Sequence, residues 1–238
     1  MKKYLIYFVC LTVSSASIGA PFVNLGFDEA VTNNLISAGD GGLFGLTSDL
    51  LPGWQLYSPW YSNAANPSGL VPGVAYNVTP IGTPFTTIFD ANHSLSVPGE
   101  RWGPVEGKYA LAVYPTLLIS GPYAPYTLVQ TGDVPAEARS LLFQNYGNPF
   151  ELRINDSAIR LVYGDDPHLA YADITSFAGQ TVELKFITIE RQQGMPLFHT
   201  LESIRFSPQI IPEPGTWALL GLGGLILLFR RRAFGSRH

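Results

Sequence analysis

The chain has 238 residues, of which 46% are hydrophobic and only 13% charged, about half the charged share of an ordinary soluble domain. Gly (24) and Pro (19) are both abundant, which argues against long helices, a coiled coil or a disordered polyampholyte and favours short strands joined by turns. Six of the fourteen Lys/Arg sit at the two ends, whereas all eighteen Asp/Glu lie between Asp28 and Glu213, so the interior carries a net charge of −10; a body that acidic repels phosphate backbones and excludes nucleic-acid binding.

Met1-Lys2-Lys3 is a short positive start, followed by an apolar run from Tyr4 to Val13 and a small-residue stretch from Ser14 to Ala20. That is the order of a secretory signal peptide, here a signal helix within residues 1–20 that engages the Sec export machinery. Cleavage needs small residues at −3 and −1. Ser14/Ala16 and Ser17/Gly19 both qualify, while a cut after Ala20 puts Pro21 at +1, which is unfavourable. Cys10 is the only cysteine and lies in the apolar run. The bulky Tyr7-Phe8-Val9 ahead of it is no lipobox. The exported body therefore has no internal disulfide and no thiol chemistry.

Residues 21–209 read as a single all-β domain. Strand-like stretches recur at Phe22–Phe27, Trp54–Tyr57, Phe85–Phe89, Lys108–Tyr114, Tyr126–Gln130, Arg139–Asn145, Phe150–Ile154, Ile159–Tyr163, Thr181–Glu190 and Leu201–Ser207. Val182, Leu184 and Phe186 alternate with Glu183 and Lys185, and the phase changes near Ile187, which predicts a bulge or an edge that becomes buried. Turn signals at Gly147-Asn148-Pro149, Asn155-Asp156-Ser157 and Gly164-Asp165-Asp166-Pro167 separate the strands. Ser37–Pro80, rich in Gly, Pro, Asn and aromatics, reads as long structured loops apart from the strand at Trp54. The spacing is that of a β-sandwich.

Residues 210–238 form a second address. Ile211-Pro212-Glu213-Pro214-Gly215-Thr216-Trp217 leads into an apolar run from Trp217 to Phe229, and Arg230-Arg231-Arg232 follows at once. Thirteen helical residues reach about 20 Å, short of a ~30 Å hydrocarbon core. Thr216 extends the transmembrane helix to 216–229, and arginines snorkel. The basic triplet stays cytoplasmic by the positive-inside rule, leaving the body on the outer side. Pro212 and Pro214 keep Ile211 and Glu213 extended, a geometry suited to a peptidase.

The Pro212-Glu213-Pro214 triplet, the Gly-rich apolar helix and the Arg230–Arg232 cluster resemble the PEP-CTERM sorting signal of Gram-negative bacteria. The resemblance implies recognition by an exosortase, a membrane-embedded cysteine peptidase/transpeptidase, at an inner-membrane-anchored intermediate. Release or transfer to the cell surface follows, usually in organisms that make an exopolysaccharide matrix. The tail Ala233–His238 runs further past the arginines than in most such signals.

The body carries weaker resemblances in order along the chain. Asn24-Leu25-Gly26-Phe27-Asp28 stands where carbohydrate-binding-module-like jelly rolls of the galactose-binding type have Asn-Gly-x-Phe-Glu. Pro52-Gly53-Trp54 is similar to the opening of their next strand, and Leu201–Phe206 to their closing strand. Val134–Leu141 resembles a strand-entry segment of PEP-CTERM proteins of this build. These resemblances imply a jelly-roll-like β-sandwich. They also imply a structural calcium held by Asp28 and Glu202, with Glu29 nearby, since Ca²⁺ takes hard oxygen ligands; ordinary solvated carboxylates are the alternative.

Chemistry-bearing motifs are few. The sequence has no Gly-x-Ser-x-Gly elbow, no His-Glu-x-x-His and no phosphate loop, so the expectation is a protein that is not an enzyme. A secreted hydrolase remains an alternative because triad residues meet only in space. Trp54, Tyr57, Trp60 and Tyr61 crowd into eight residues. Trp54 is expected in the core. Trp60 and Tyr61, with Trp102, are candidates to stack on sugar faces, possible contacts to exopolysaccharide; the alternative is that they pin a long loop. The expected role is structural or adhesive in an extracellular matrix.

Overall fold

The computed structural model describes residues 19–37, 42–78, 85–92, 95–97, 100–102, 104, 106–115, 123, 125–164, 166–190 and 198–210. Residues 1–18 of the expected signal peptide and the whole 216–229 span lie outside the described residues. Among the described residues no helix is long and apolar enough to cross a membrane.

The described chain is built from short strands: β1 (Ile36–Ser37), β2 (Leu43–Leu46), β3 (Gln55–Tyr57), β4 (Gly73–Tyr76), β5 (Phe85–Asp90), β6 (Leu95–Val97), β7 (Glu100–Trp102), β8 (Tyr109–Tyr114), β9 (Thr127–Asp133), β10 (Ser140–Gln144), β11 (Phe150–Ile154), β12 (Ser157–Ile159), β13 (Leu161–Tyr163), β14 (Leu169–Asp173), β15 (Thr181–Thr188) and β16 (His199–Ser207). One α-helical turn, α1 (Thr47–Leu50), and two 3₁₀ turns, Pro59–Tyr61 and Thr175–Phe177, interrupt them. A nine-stranded sheet runs β1-β2-β4-β5-β8-β16-β10-β14-β13, a five-stranded sheet runs β12-β11-β15-β9-β3, and β6 and β7 form a separate hairpin. Two sheets with a shared apolar interior are consistent with a β-sandwich.

The two inner faces meet around Phe186. Its ring packs edge-on to Phe143 of the large sheet at 5.0 Å and 84°, with Trp54 at 6.2 Å and Phe150 at 6.1 Å. Leu128, Leu152, Ile154 and Leu184 from one sheet and Ile88, Leu111, Leu141 and Leu201 from the other complete a single core. In the middle of the large sheet the opposite face is buried too. Ile88 and Leu111 point into the main core, whereas their neighbours Phe89, Ala110 and Ala112 form a second cluster with Phe198. A strand alternates faces at every residue, so burial on both faces explains the unbroken apolar run of β8.

Several expected elements are revised. Phe22–Phe27 is not a strand. Pro21 makes one bridge to Asp133. Val23 is gripped by the Gln130 side chain, whose Oε1 accepts from Val23 N at 2.7 Å and whose Nε2 donates to Val23 O at 3.0 Å. The chain then turns, with Asn24 and Phe27 at positive φ (50° and 62°); complete burial of the Phe27 ring against Trp54 offsets that conformation. Ile159–Tyr163 is split at Arg160, because β12 ends the small sheet and β13 begins the edge of the large one. The expected irregularity near Ile187 does not occur. Thr188 continues the alternation inward because its hydroxyl accepts from Tyr126 N at 2.8 Å, replacing an apolar contact with a hydrogen bond. The bulge lies instead in β16, where Ser203 has φ 53° and the register with β10 shifts between Leu142 and Gln144. Ser37–Pro80 holds β2, α1 and β4 as well as β3.

Trp54 follows Gly53, which has φ +84°, and its indole N–H donates to Asn24 O at 3.1 Å. Trp54→Ala should cost about 3–5 kcal/mol, read as a lowered urea midpoint at unchanged m-value.

Candidate functional site

Asp28 and Glu202, 174 positions apart, converge on one loop. Asp28 Oδ1 accepts from Lys108 N at 2.5 Å, and Glu202 Oε2 accepts from Glu106 N at 3.5 Å. A shallow pocket of about 260 Å³ opens there, lined by Gly26, Asp28, Glu106, Gly107, Ser203 and Arg205 among others. The bulge at Ser203 lets Leu201 and Ile204 both enter the core while Glu202, 1% exposed, is directed to the loop. Gly107 (φ +77°) passes so close that a Cβ would meet the Asp28 carboxylate.

The donor set fits a hydrogen-bonded loop anchor better than a calcium cage. Both carboxylates already accept backbone N–H groups, and Arg205 brings a cation into the pocket through its 2.7 Å pair with Glu106. Among the described residues no group of three or more His, Cys, Asp or Glu comes together to hold a metal. Glu29 donates its backbone N–H to Asn24 Oδ1 at 2.9 Å and shapes the preceding turn.

The aromatic cluster separates by role. Trp54 is buried; Trp60 is 47% exposed. Trp60 sits in a 3₁₀ turn, Pro59–Tyr61, whose Ser58 cap accepts from Trp60 N at 3.4 Å. The following loop is rigidified by Asn66, whose amide donates to Tyr61 O and Leu70 O and whose carbonyl accepts from Leu70 N. Beside the turn lies an open groove of about 350 Å³ lined by hydroxyls and prolines, including Ser58, Pro59, Ser62, Ser68, Pro125 and Thr127, with no charged residue among the described ones. Pro125 and Thr127 come from the start of β9 and carry no local signal linking them to the 58–68 loop. Tyr61 is half-buried and packs against the main core, and burial raises its phenol pKa. Trp102 lies in β7, opposite Leu95.

Two of the described histidines serve packing. His168 stacks on Tyr146 at 4.2 Å and 23°. His199 is wholly buried beside Phe150, with Nδ1 3.1 Å from Pro149 O. A carbonyl can only accept, so Nδ1 carries the proton, and Nε2 has no hydrogen-bond partner among the described residues. Desolvation lowers the imidazole pKa from 6.5 to about 4, against smaller opposing contributions from backbone carbonyls.

Pro212, Glu213, Pro214 and Arg230, Arg231, Arg232 lie outside the described residues, as do His93 and His238. The last hydrogen-bonded residue described before the tail is Gln209, whose carbonyl accepts from Ser140 Oγ at 2.8 Å; Gln209 and Ile210 are both exposed.

The class set by these features is a β-rich body followed directly by a C-terminal address. Residues 211–232 match the PEP-CTERM protein-sorting motif. That motif supports an exported protein, sorted by an exosortase and passing through the membrane to the cell surface. Compared with the curated proteins, the chain has no significant match.

The His199 environment sets a pH dependence. Between about pH 4 and 6.5 the unfolded chain binds a proton at this ring and the folded one does not. Stability from this group is therefore complete above pH 6.5 and is lost as pH falls toward 4, by about 1.4 kcal/mol per pH unit at most. Thermal melts should show that slope, and His199→Leu should flatten it even if the melt as a whole moves.

Proposed function

We propose that the protein is a non-enzymatic component of the surface or extracellular matrix of a Gram-negative bacterium, with a structural or adhesive role beside exopolysaccharide. The carrying observation is the sorting motif at 211–232, which begins two residues after the last anchored carbonyl, Gln209. With so short a tether, the Sec-exported body stands directly above the outer face of the inner membrane while the 216–229 helix is inserted. Pro212-Glu213-Pro214 is held extended for the exosortase, and the basic triplet holds the helix by the positive-inside rule. The hydrolase reading is less well supported, since it needs a histidine facing a carboxylate and a hydroxyl in a cavity; His199 lies in the core against a backbone carbonyl. Replacing Arg230, Arg231 and Arg232 together by Ala should leave precursor accumulating and reduce surface display, read by cell fractionation and C-terminal mass spectrometry of the surface form. Normal processing and display in that variant would contradict the sorting mechanism.

A second reading, a carbohydrate-binding body, is favoured by Trp60. Its ring is exposed on the turn whose Ser58 and Pro59 line a groove with no charged residue among the described ones. Hydroxyls for hydrogen bonds next to flat apolar faces suit a neutral sugar. On this reading Trp60→Ala weakens binding to native exopolysaccharide about tenfold, the equivalent of one stacking contact. Equal retention of the wild type and the variant at background leaves the passive structural role.

A further inference from the structure

We propose that the hydroxyls of Ser58, Tyr61, Thr86 and Tyr126 enclose a site for one internal water molecule, and that this water ties the Trp60 turn to both sheets.

Four side chains from three parts of the fold meet there. Thr86 lies on β5 of the large sheet and has the parity of Ile88, so it faces the interior between the sheets. Tyr126 immediately precedes β9 of the small sheet and has the inward parity of Leu128. Pro125 and Thr127, of the opposite parity, line the groove. Ser58 and Tyr61 belong to the 3₁₀ turn that carries Trp60, with Ser58 as its cap. Thr86, Tyr126 and Ser58 are all buried.

Two of these hydroxyls are short of a partner. Thr86 Oγ1 and Tyr126 Oη are buried and make no hydrogen bond among the described residues. The Tyr126 ring is packed in the main core, and its backbone is clamped to Thr188. Tyr126 N donates to Thr188 Oγ1 at 2.8 Å, and Thr188 N donates to Tyr126 O at 2.9 Å. The phenol nevertheless senses its neighbours. Burial raises its pKa most, Tyr61 raises it further, and Ser58 and Thr86 pull it down. Tyr61 in turn is raised by burial and lowered by Tyr126. The hydroxyls therefore lie close together without pairing off at Thr86 and Tyr126.

Leaving two buried hydroxyls unpaired is costly, and native folds satisfy such groups with protein or with water. One water donates two hydrogen bonds and accepts others, and internal waters typically bond to about three groups of this kind. Both orphan atoms are closed off from bulk solvent, so a sugar hydroxyl in the groove does not reach them, whereas a water enclosed on folding does. Ser58 is the member shared with the surface. Its hydroxyl accepts from Trp60 N at 3.4 Å, and the residue lines the groove. A hydrogen bond from the water fixes its rotamer, and with it the turn. The site stands whether or not the groove takes a sugar.

The test uses the full chain as exported, with two near-isosteric variants, Thr86→Val and Tyr126→Phe. Each removes one hydroxyl and almost no packing volume. With a bridging water, each variant loses a satisfied hydrogen bond and its Tm falls by about 2–4 °C. The double variant falls by less than the sum, because the two residues share one partner. The Trp60 amide exchanges faster with solvent in Tyr126→Phe. An unchanged or raised Tm in both single variants overturns the proposal, since deleting a hydroxyl that never had a partner relieves its desolvation cost. Strict additivity overturns the shared water, and unchanged Trp60 exchange overturns the tie to the turn. Should a variant fail to fold, a high-resolution crystal structure of the wild type decides. One ordered water within about 3.2 Å of both Thr86 Oγ1 and Tyr126 Oη is expected, and a direct bond between them or a dry contact overturns the proposal.

Discussion

Phe186 is the contact on which the two layers of this fold depend. It stands on the third strand of the small sheet, and its ring touches Phe143 of the opposite sheet, Trp54 beside β3 and Phe150 on β11. All four rings are buried. Edge-to-face and tilted packing of this kind fixes the relative position of aromatic rings more narrowly than aliphatic contact does. Because Trp54 also donates its N–H to Asn24 O, and Asn24 donates its side-chain amide to Pro52 O at 3.3 Å, the aromatic cluster reaches out to the strap at the start of the body. The core and the entry of the chain are therefore one unit of packing and hydrogen bonding.

The same economy governs the loops that could bind. At the Asp28–Glu202 locus, two acidic side chains far apart in sequence hold one loop by its backbone N–H groups, and Arg205 balances the remaining carboxylate of Glu106. At the Trp60 turn, order comes from asparagine side chains that substitute for backbone partners, and the large ring is left outside. One locus stabilises the sandwich with charge; the other presents an uncharged surface on a stiff support.

Much of the architecture was legible because alternation is a direct record of facing. Phe150–Ile154 coincides with its expected bounds, and the in-out order of β15 follows Val182, Leu184 and Phe186. What escaped has physical causes. β14 buries only Ala170 and Ala172, whose small side chains give little hydrophobic contrast. β2 and β4 each contain glycine and span four residues. Phe22–Phe27 looks like a strand by composition, but the Gln130 side chain takes the place of a ladder partner. Arg160 marks a transfer between sheets that a single run of β-forming residues cannot signal. The neighbourhood of Asp28 and Glu202 was legible through resemblance, whereas the groove beside Trp60 depends on Pro125 and Thr127 arriving from a distant strand.

The segment from Asp133 to Ser140 is tied to the chain at both of its extremities: Asp133 N to Ala20 O at one end, Ser140 Oγ to Gln209 O at the other. The Phe22 and Phe206 rings, 5.4 Å apart, close the gap between the two. Entry and exit therefore leave the sandwich from a common pole. A body held from either extremity therefore presents the same opposite pole outward.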